Sequence, residues 1–157
     1  MTDLDPAPRR RSERGAAAVE FALVLPILLT IVFGIVQYGW YFYSVQAGSD
    51  VARDAARRAA VSDPITCTDF LAAVRSSLAP YQEATPTATV TRTYVNSAGA
   101  TKSPAAAGDY VRVEIGFQSY DFGLPFVPLP GSGYISVTAE SRVESVGLGA
   151  PPTACTA

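Results

Sequence analysis

A long apolar segment near the N-terminus constrains the fold of this chain more than any other feature. Between Phe21 and Val36 the only polar side chain is Thr30, and the segment continues through Gln37 to Tyr43. At about 1.5 Å per residue, a helix over residues 21–43 is about 34 Å long, which exceeds the ~30 Å hydrocarbon core of a bilayer. The segment therefore predicts a single membrane-spanning helix.

The residues on either side of this segment predict its orientation. A cluster of arginines precedes it, opposed there only by Glu13, and such a cluster favours the cytoplasmic side of a membrane. The cluster consists of Arg9, Arg10, Arg11 and Arg14. Trp40 and the tyrosines around it fit an aromatic belt at the outer interface. We therefore expect a cytoplasmic N-terminus and an extracytoplasmic C-terminal domain.

Glu20 places one carboxylate at the head of the apolar segment. A carboxylate close to hydrocarbon is costly and normally has a partner. Cleavage between Gly15 and Ala16 would create one, because the new α-amino group would lie about one helical turn before Glu20 and would be largely protonated near neutral pH.

Two other fates of the segment remain open. Val45-Gln46-Ala47 resembles a signal-peptidase site, and cleavage there would release a secreted domain that begins at Gly48. The apolar core of a secretory signal is only ~7–15 residues long, however, and this fate leaves Glu20 without a role. The second alternative is a permanent single-pass anchor that is not cleaved after Gly15.

The residues around Gly15 resemble the processing site of the TadE-like minor pilins or pseudopilins, of the Tad (Flp-type) branch of type IV pili. In that family a short basic leader ends in glycine, and glutamate at the fifth mature position has an aromatic neighbour. Gly15, Glu20 and Phe21 fit that pattern. The likeness covers residues 9–61 and includes Leu25-Pro26 and the Ala/Arg-rich stretch 52–60.

This resemblance implies a minor pilin that a prepilin peptidase cleaves between Gly15 and Ala16. Such a protein takes part in assembling, priming or anchoring a pilus for adhesion or surface attachment, with Glu20 and Phe21 setting the register between subunits. The implied partners are the peptidase, other pilin or pseudopilin subunits and the assembly machinery. The implied location is the bacterial cytoplasmic (inner) membrane and, after incorporation, a cell-surface pilus. The alternative function is a permanently membrane-anchored extracytoplasmic binding module.

We expect four segments in the chain. These are a cytoplasmic leader (1–15), a transmembrane or assembly helix (16–43), an extracytoplasmic continuation of that helix (44–61) and a small extracytoplasmic domain (62–157). Small apolar residues recur in the continuation at three- and four-residue spacing, from Val45 to Ala59. This stripe predicts packing against the protein's own domain or against neighbouring subunits. The helix, from about Ala17, should end at Ser62-Asp63-Pro64 because the residue before proline disfavours helix.

The C-terminal part predicts an α+β domain. Thr66 or Thr68 can cap a short second helix whose apolar face comprises Phe70, Leu71, Val74 and Leu78, and Pro80 should end it. Three later segments alternate apolar and polar residues, which predicts an antiparallel sheet of about three strands with one buried face. The segments are 88–95, 110–120 and 134–145. We expect this sheet to pack on the outer half of the long helix, giving a pilin-like fold.

The composition argues against catalysis. The chain has no histidine, which excludes Ser-His-Asp and Cys-His nucleophiles and histidine-based metal sites. Glu114, Glu140 and Glu144 fall on the predicted solvent face between arginines, where cross-strand ion pairs explain them. A net charge of −2 gives no reason to expect nucleic acid as a partner. We expect a structural protein without cofactor or metal.

Two features of the domain suggest further contacts. Cys67 and Cys155 are the only cysteines, and in an extracytoplasmic domain they predict one intramolecular disulfide, with a free thiol or an intermolecular bridge as alternatives. The proline-rich loop Asp121–Gly133 carries apolar residues that either cover an open sheet edge or form a docking surface for another pilus component or the outer leaflet. The candidate docking residues are Phe122, Leu124, Phe126 and Leu129.

Overall fold

The structure, a computed structural model, describes residues 10–61, 66–144 and 154–156. Its helices are α1 (Arg10–Ala60) and α2 (Cys67–Leu78), followed by a short 3-10 turn (Ala79–Tyr81), and a second such turn lies at Pro130–Gly133. Its strands are β1 (Thr89–Val95), β2 (Tyr110–Gln118), β3 (Tyr134–Arg142) and β4 (Cys155–Thr156). The predicted α+β architecture is confirmed.

Helix α1 is one continuous helix of 51 residues, about 76 Å long at 1.5 Å per residue. It begins at Arg10, earlier than the expected start near Ala17, because residues 10–16 include no helix breaker other than Gly15. Proline within a helix removes one backbone hydrogen bond, and α1 nevertheless continues through Pro26. The Thr30 hydroxyl donates to the Pro26 carbonyl at 2.8 Å. The expected terminator at 62–64 lies outside the described residues.

The outer half of α1 packs on its own domain through alanine side chains. Ala52, Ala55 and Ala59 are buried, together with Ala56 and Ala60. The opposite face is charged, and Arg58 Nε lies 2.8 Å from Asp54 Oδ2 as the i,i+4 spacing predicts. Exposed helical pairs of this kind contribute only about 0.3–0.5 kcal/mol. The small-residue stripe, rather than the charges, therefore joins the helix to the sheet.

The sheet has four antiparallel strands in the order β3-β2-β1-β4. Val111, Val113 and Ile115 of β2 are fully buried, and the residues between them face solvent, as the alternation predicts. Arg112 lies directly opposite Glu140 on β3, with Nε 2.6 Å from Oε1. The sequence pattern missed β4, because a two-residue strand shows no periodicity.

Helix α2 follows its sequence signals closely. Thr66 is the N-cap residue, and its side chain accepts a hydrogen bond from the Asp69 amide at 3.2 Å. The predicted apolar face is buried in the core: Phe70, Leu71, Val74 and Leu78. The α-helix ends at Leu78, and Pro80 lies in the 3-10 turn that follows.

Gly48 sets the distance between α1 and the sheet. A Cβ at this position would lie 2.6 Å from Cε1 of Phe117, which is closer than real Cβ contacts. At Gly39, which lies nearer the N-terminus of the same helix, a Cβ would meet nothing within 4 Å. The ring of Phe117 therefore fits against α1 only because residue 48 has no side chain.

We predict that Gly48→Ala destabilises the protein relative to Gly39→Ala. Each change gains about 1 kcal/mol of helix propensity, but only the first forces overpacking, which typically costs ~1–3 kcal/mol. Thermal unfolding of the full chain in detergent, followed by near-ultraviolet circular dichroism, should give a lower midpoint for Gly48→Ala. Equal midpoints for the two variants would contradict the close approach at Phe117.

Candidate functional site

The apolar half of α1 extends beyond the folded domain with its side chains exposed. Phe21 and Ile35 expose 64% and 69% of their surface, and most of the apolar residues between them are also exposed. Contiguous apolar surface of this extent normally contacts lipid or protein. Among the described residues one helix, over 15–60, is long and apolar enough to cross a membrane. The protein is therefore of the membrane-anchored type.

The predicted processing junction lies within α1, below this apolar surface. Gly15, Ala16 and Glu20 are helical and exposed, and a Cβ at Gly15 would meet nothing within 4 Å. Residues four apart lie on one face of a helix, so Glu20 stands one turn beyond Ala16. Of the four arginines, three lie in the described part of the helix, and Arg9 lies outside the described residues.

Gln37 is the fully buried polar residue at the end of the apolar run. Its Nε2 donates to the Tyr120 carbonyl at 3.1 Å, and its Oε1 accepts from the Phe122 amide at 3.0 Å. Both ends of the side-chain amide are thus hydrogen-bonded to the backbone at the start of the proline-rich loop. Burial of an amide is inexpensive only with such partners.

Two neighbours of Gln37 extend this contact. The Tyr38 hydroxyl donates to the Pro128 carbonyl at 2.7 Å, near the far end of the loop. Trp40 packs edge-on against Tyr120 and Phe122, with ring centroids 5.9 Å and 6.3 Å away. We call the contact between residues 37–40 of α1 and residues 120–128 the collar. It joins the loop to α1 at the level where the helix leaves its apolar region.

The four predicted docking residues differ in how much of their surface is exposed. Phe126 is 89% exposed and Phe122 is 49% exposed, although one edge of the Phe122 ring meets Trp40. Leu124 and Leu129 are half-buried. Sequence reasoning did not foresee that the loop would pack on α1. The available signal was Gln37, an amide in an otherwise apolar run.

The structure brings Cys67 and Cys155 together. Cys67 is the first residue of α2, and Cys155 lies in β4 opposite Arg92 of β1. Both are free thiols in the structure. Burial, together with the neighbouring Cys67 thiol, raises the pKa of the Cys155 thiol to about 12, while the charge of Arg92 opposes this rise.

The predicted solvent-face carboxylates show no catalytic arrangement. Glu140 pairs with Arg112 across two strands, while Glu114 and Glu144 are exposed. Within ranges 10–61, 66–144 and 154–156, no group of three or more histidine, cysteine or acidic residues could hold a metal ion.

A helix of membrane-spanning length whose outer half packs on a small antiparallel sheet defines a membrane-anchored α+β protein. Residues 15–57 match the family model described as TadE-like protein. The match confirms the predicted resemblance: the N-terminal helix is similar to that of TadE-like proteins. The strands lie outside the matched residues. No curated protein and no solved structure matches the chain.

We predict that Gln37→Leu releases the loop from α1. The substitution keeps the approximate size of the side chain but leaves the Tyr120 carbonyl and the Phe122 amide without their partner, at a cost of about 1–3 kcal/mol. Hydrogen exchange of the Phe122 amide should accelerate, about tenfold for each 1.4 kcal/mol lost locally.

The matched control is Gln46→Leu, which changes an exposed glutamine on the same helix. It should leave the Phe122 amide as protected as in the parent protein. Unchanged exchange in Gln37→Leu would mean that Gln37 does not hold the loop.

Proposed function

We propose that this protein is a minor pilin, or pseudopilin, that is cleaved between Gly15 and Ala16 and then takes part in assembling, priming or anchoring a Tad-type pilus. The observation that carries the proposal is the exposed apolar half of α1 with Glu20 at its head, in the part of the chain that matches TadE-like proteins. Adhesion or surface attachment is the process such a pilus would serve.

Glu20 has a physical role in this proposal. After cleavage its carboxylate neutralises an α-ammonium group, either that of Ala16 in its own chain or that of an adjacent subunit. In an apolar bundle an unpaired buried charge costs about 3–5 kcal/mol, so subunits out of register are rejected. The exposed ring of Phe21 packs beside this charge pair against the neighbouring helix.

The membrane arrangement follows from the flanking residues. The arginine cluster stays in the cytoplasm, where a prepilin peptidase removes it with the leader (1–15), and the domain lies outside the cytoplasmic membrane. Segment 16–43 serves first as the membrane span and then as the assembly helix. Segment 44–61 and the domain (62–157) remain extracytoplasmic.

The proposed activity is structural rather than catalytic. TadE-like proteins are generally structural. One face of the outer half of α1 is covered by its own sheet and the opposite face is charged, so the proposed contacts with other subunits fall on the apolar half. The major pilins of the branch that this chain resembles are typically far shorter and have almost no globular domain. A domain of this size therefore suits a minor component that primes, caps or anchors a filament.

We further propose that Cys67 and Cys155 form a disulfide in the extracytoplasmic compartment. Each thiol loses one proton and one electron to a thiol–disulfide oxidant, and the two sulfurs join. The effect of the Cys67 thiol on the pKa of Cys155 supports this pairing, because it requires the two side chains to lie close together. The bond would fasten β4 to the start of α2.

For the disulfide, we expect protein from the native host to yield linked peptides containing Cys67 and Cys155, two hydrogen atoms lighter than the separate peptides. Closing a loop of about ninety residues stabilises by about 4.6 kcal/mol in the chain-entropy model. Cys155→Ser should therefore lower the unfolding midpoint, and a reductant should remove most of the difference from the parent. Full alkylation of both thiols without reductant would disprove the bond.

For the main proposal, we expect Glu20→Gln to abolish or strongly reduce piliation while membrane insertion and cleavage persist. The substitution removes the charge with little change in size. Intact-mass analysis of protein from native membranes should give a chain that begins at Ala16 for both parent and variant.

Glu13→Gln is the matched control, because this carboxylate leaves with the leader and should not affect assembly. Normal piliation in Glu20→Gln would refute the register role. An intact leader in the parent protein would favour the permanently anchored binding module, and a start at Gly48 would indicate a secreted domain.

A further inference from the structure

The proline-rich loop runs down α1 toward the apolar segment and back. It leaves β2 at Ser119, whose hydroxyl lies 3.5 Å from that of Ser44, and the next carbonyl, of Tyr120, accepts from Gln37. Ser44 and Gln37 are about 10 Å apart along the helix axis. On the returning arm of the loop, the Pro128 carbonyl accepts a hydrogen bond from the Tyr38 hydroxyl. Residues 123–127, the tip of the loop, therefore lie between two contacts with α1 at the end of the apolar segment.

This tip is held firmly: Val127 is buried, although its neighbour Phe126 is exposed. The base of the loop closes where the Ser119 amide donates to the Gly133 carbonyl at 2.9 Å, and the collar fixes both arms against α1. Phe126 adopts a left-handed backbone conformation with φ of 66°, which is uncommon for a bulky residue. The surrounding structure thus presents an aromatic ring outward, at 89% exposure, instead of burying it.

The side chains of the tip are suited to contact with lipid. From residue 122 to residue 133 there is no charged side chain, and the apolar residues alternate with proline and glycine. On the helix, Phe33 and Val36 lie just before the collar and are also exposed. The apolar surface of the membrane span therefore extends to the level of the loop, where Tyr38 and Trp40 mark an aromatic interface.

We propose that the tip of the Asp121–Gly133 loop, with Phe126 foremost, inserts into the outer interface of the bilayer that α1 spans. The tip and the helix then form two points of contact with the same membrane. Two points fix the rotation of α1 about its axis and the height of the domain above the lipid, which a single helix does not. The inference rests on the membrane span and not on cleavage at Gly15.

The test places a single tryptophan at the tip of the full-length protein. In a Trp40→Phe background, Phe126→Trp is compared with Tyr110→Trp, which replaces a partly exposed ring at the opposite end of β2. Both proteins are reconstituted in phosphatidylcholine vesicles with and without bromine on the upper acyl chain. Acrylamide provides the aqueous quencher.

We expect brominated lipid to quench the Phe126→Trp protein several-fold more than the Tyr110→Trp protein, and acrylamide to show the reverse order. The order should persist when the lipid-to-protein ratio is raised. Equal acrylamide quenching at both positions, with none by brominated lipid, would overturn the proposal. Protection at residue 126 that disappears on dilution in lipid would also overturn it, because a second copy of the chain would then cover the tip.

Discussion

The two hydrogen bonds of Gln37 mark the level on α1 at which the helix changes its surroundings. From Phe21 to Val36 the helix is apolar and exposed on most faces, while after Gln37 one face becomes buried against the domain. A buried amide can occupy this boundary only because the loop supplies both an acceptor and a donor from its backbone. The position of the domain relative to the apolar segment therefore depends on this side chain.

The small residues above that level determine how the helix meets the sheet. Ala52, Ala55 and Ala59 bring the helix backbone close to the strands, and Gly48 admits the ring of Phe117. Close packing of this kind leaves little freedom for the helix to slide, because a shift would drive side chains into one another. The collar and the alanine stripe thus make the outer half of α1 and the domain one packed unit.

Local patterns predicted the parts of the fold that depend on local physics. The apolar face of α2 and the Thr66 cap follow from helical periodicity, and the alternation in β2 follows from the pleat of a strand. The collar was missed because its hydrogen bonds join residues more than eighty positions apart. Strand β4 was missed for the same reason: its pairing with β1 depends on a distant segment and not on its own two residues.

The candidate site also combines features that were predicted from the sequence with features that depend on distant contacts. The junction at Gly15 and the role of Glu20 were predicted from their spacing and from the resemblance to TadE-like proteins, and both stay predictions. The sequence does not indicate which side chains of the loop remain exposed, since that depends on the contact with Trp40 and Tyr38. Phe122 and Phe126 look equivalent in the sequence, yet one meets the helix and the other points outward.

These constraints bear on the proposed transfer of α1 from bilayer to filament. Because the outer half of the helix and the domain form one packed unit, the subunit moves as a whole, and the surroundings change mainly at the apolar segment and the loop tip. Apolar side chains exchange lipid for neighbouring helices at little net cost, since both environments are apolar. The charge of Glu20 is different, because its energy depends on whether an ammonium group lies beside it. In the proposed assembly the apolar surface therefore permits many axial positions of the subunit, and the carboxylate selects one.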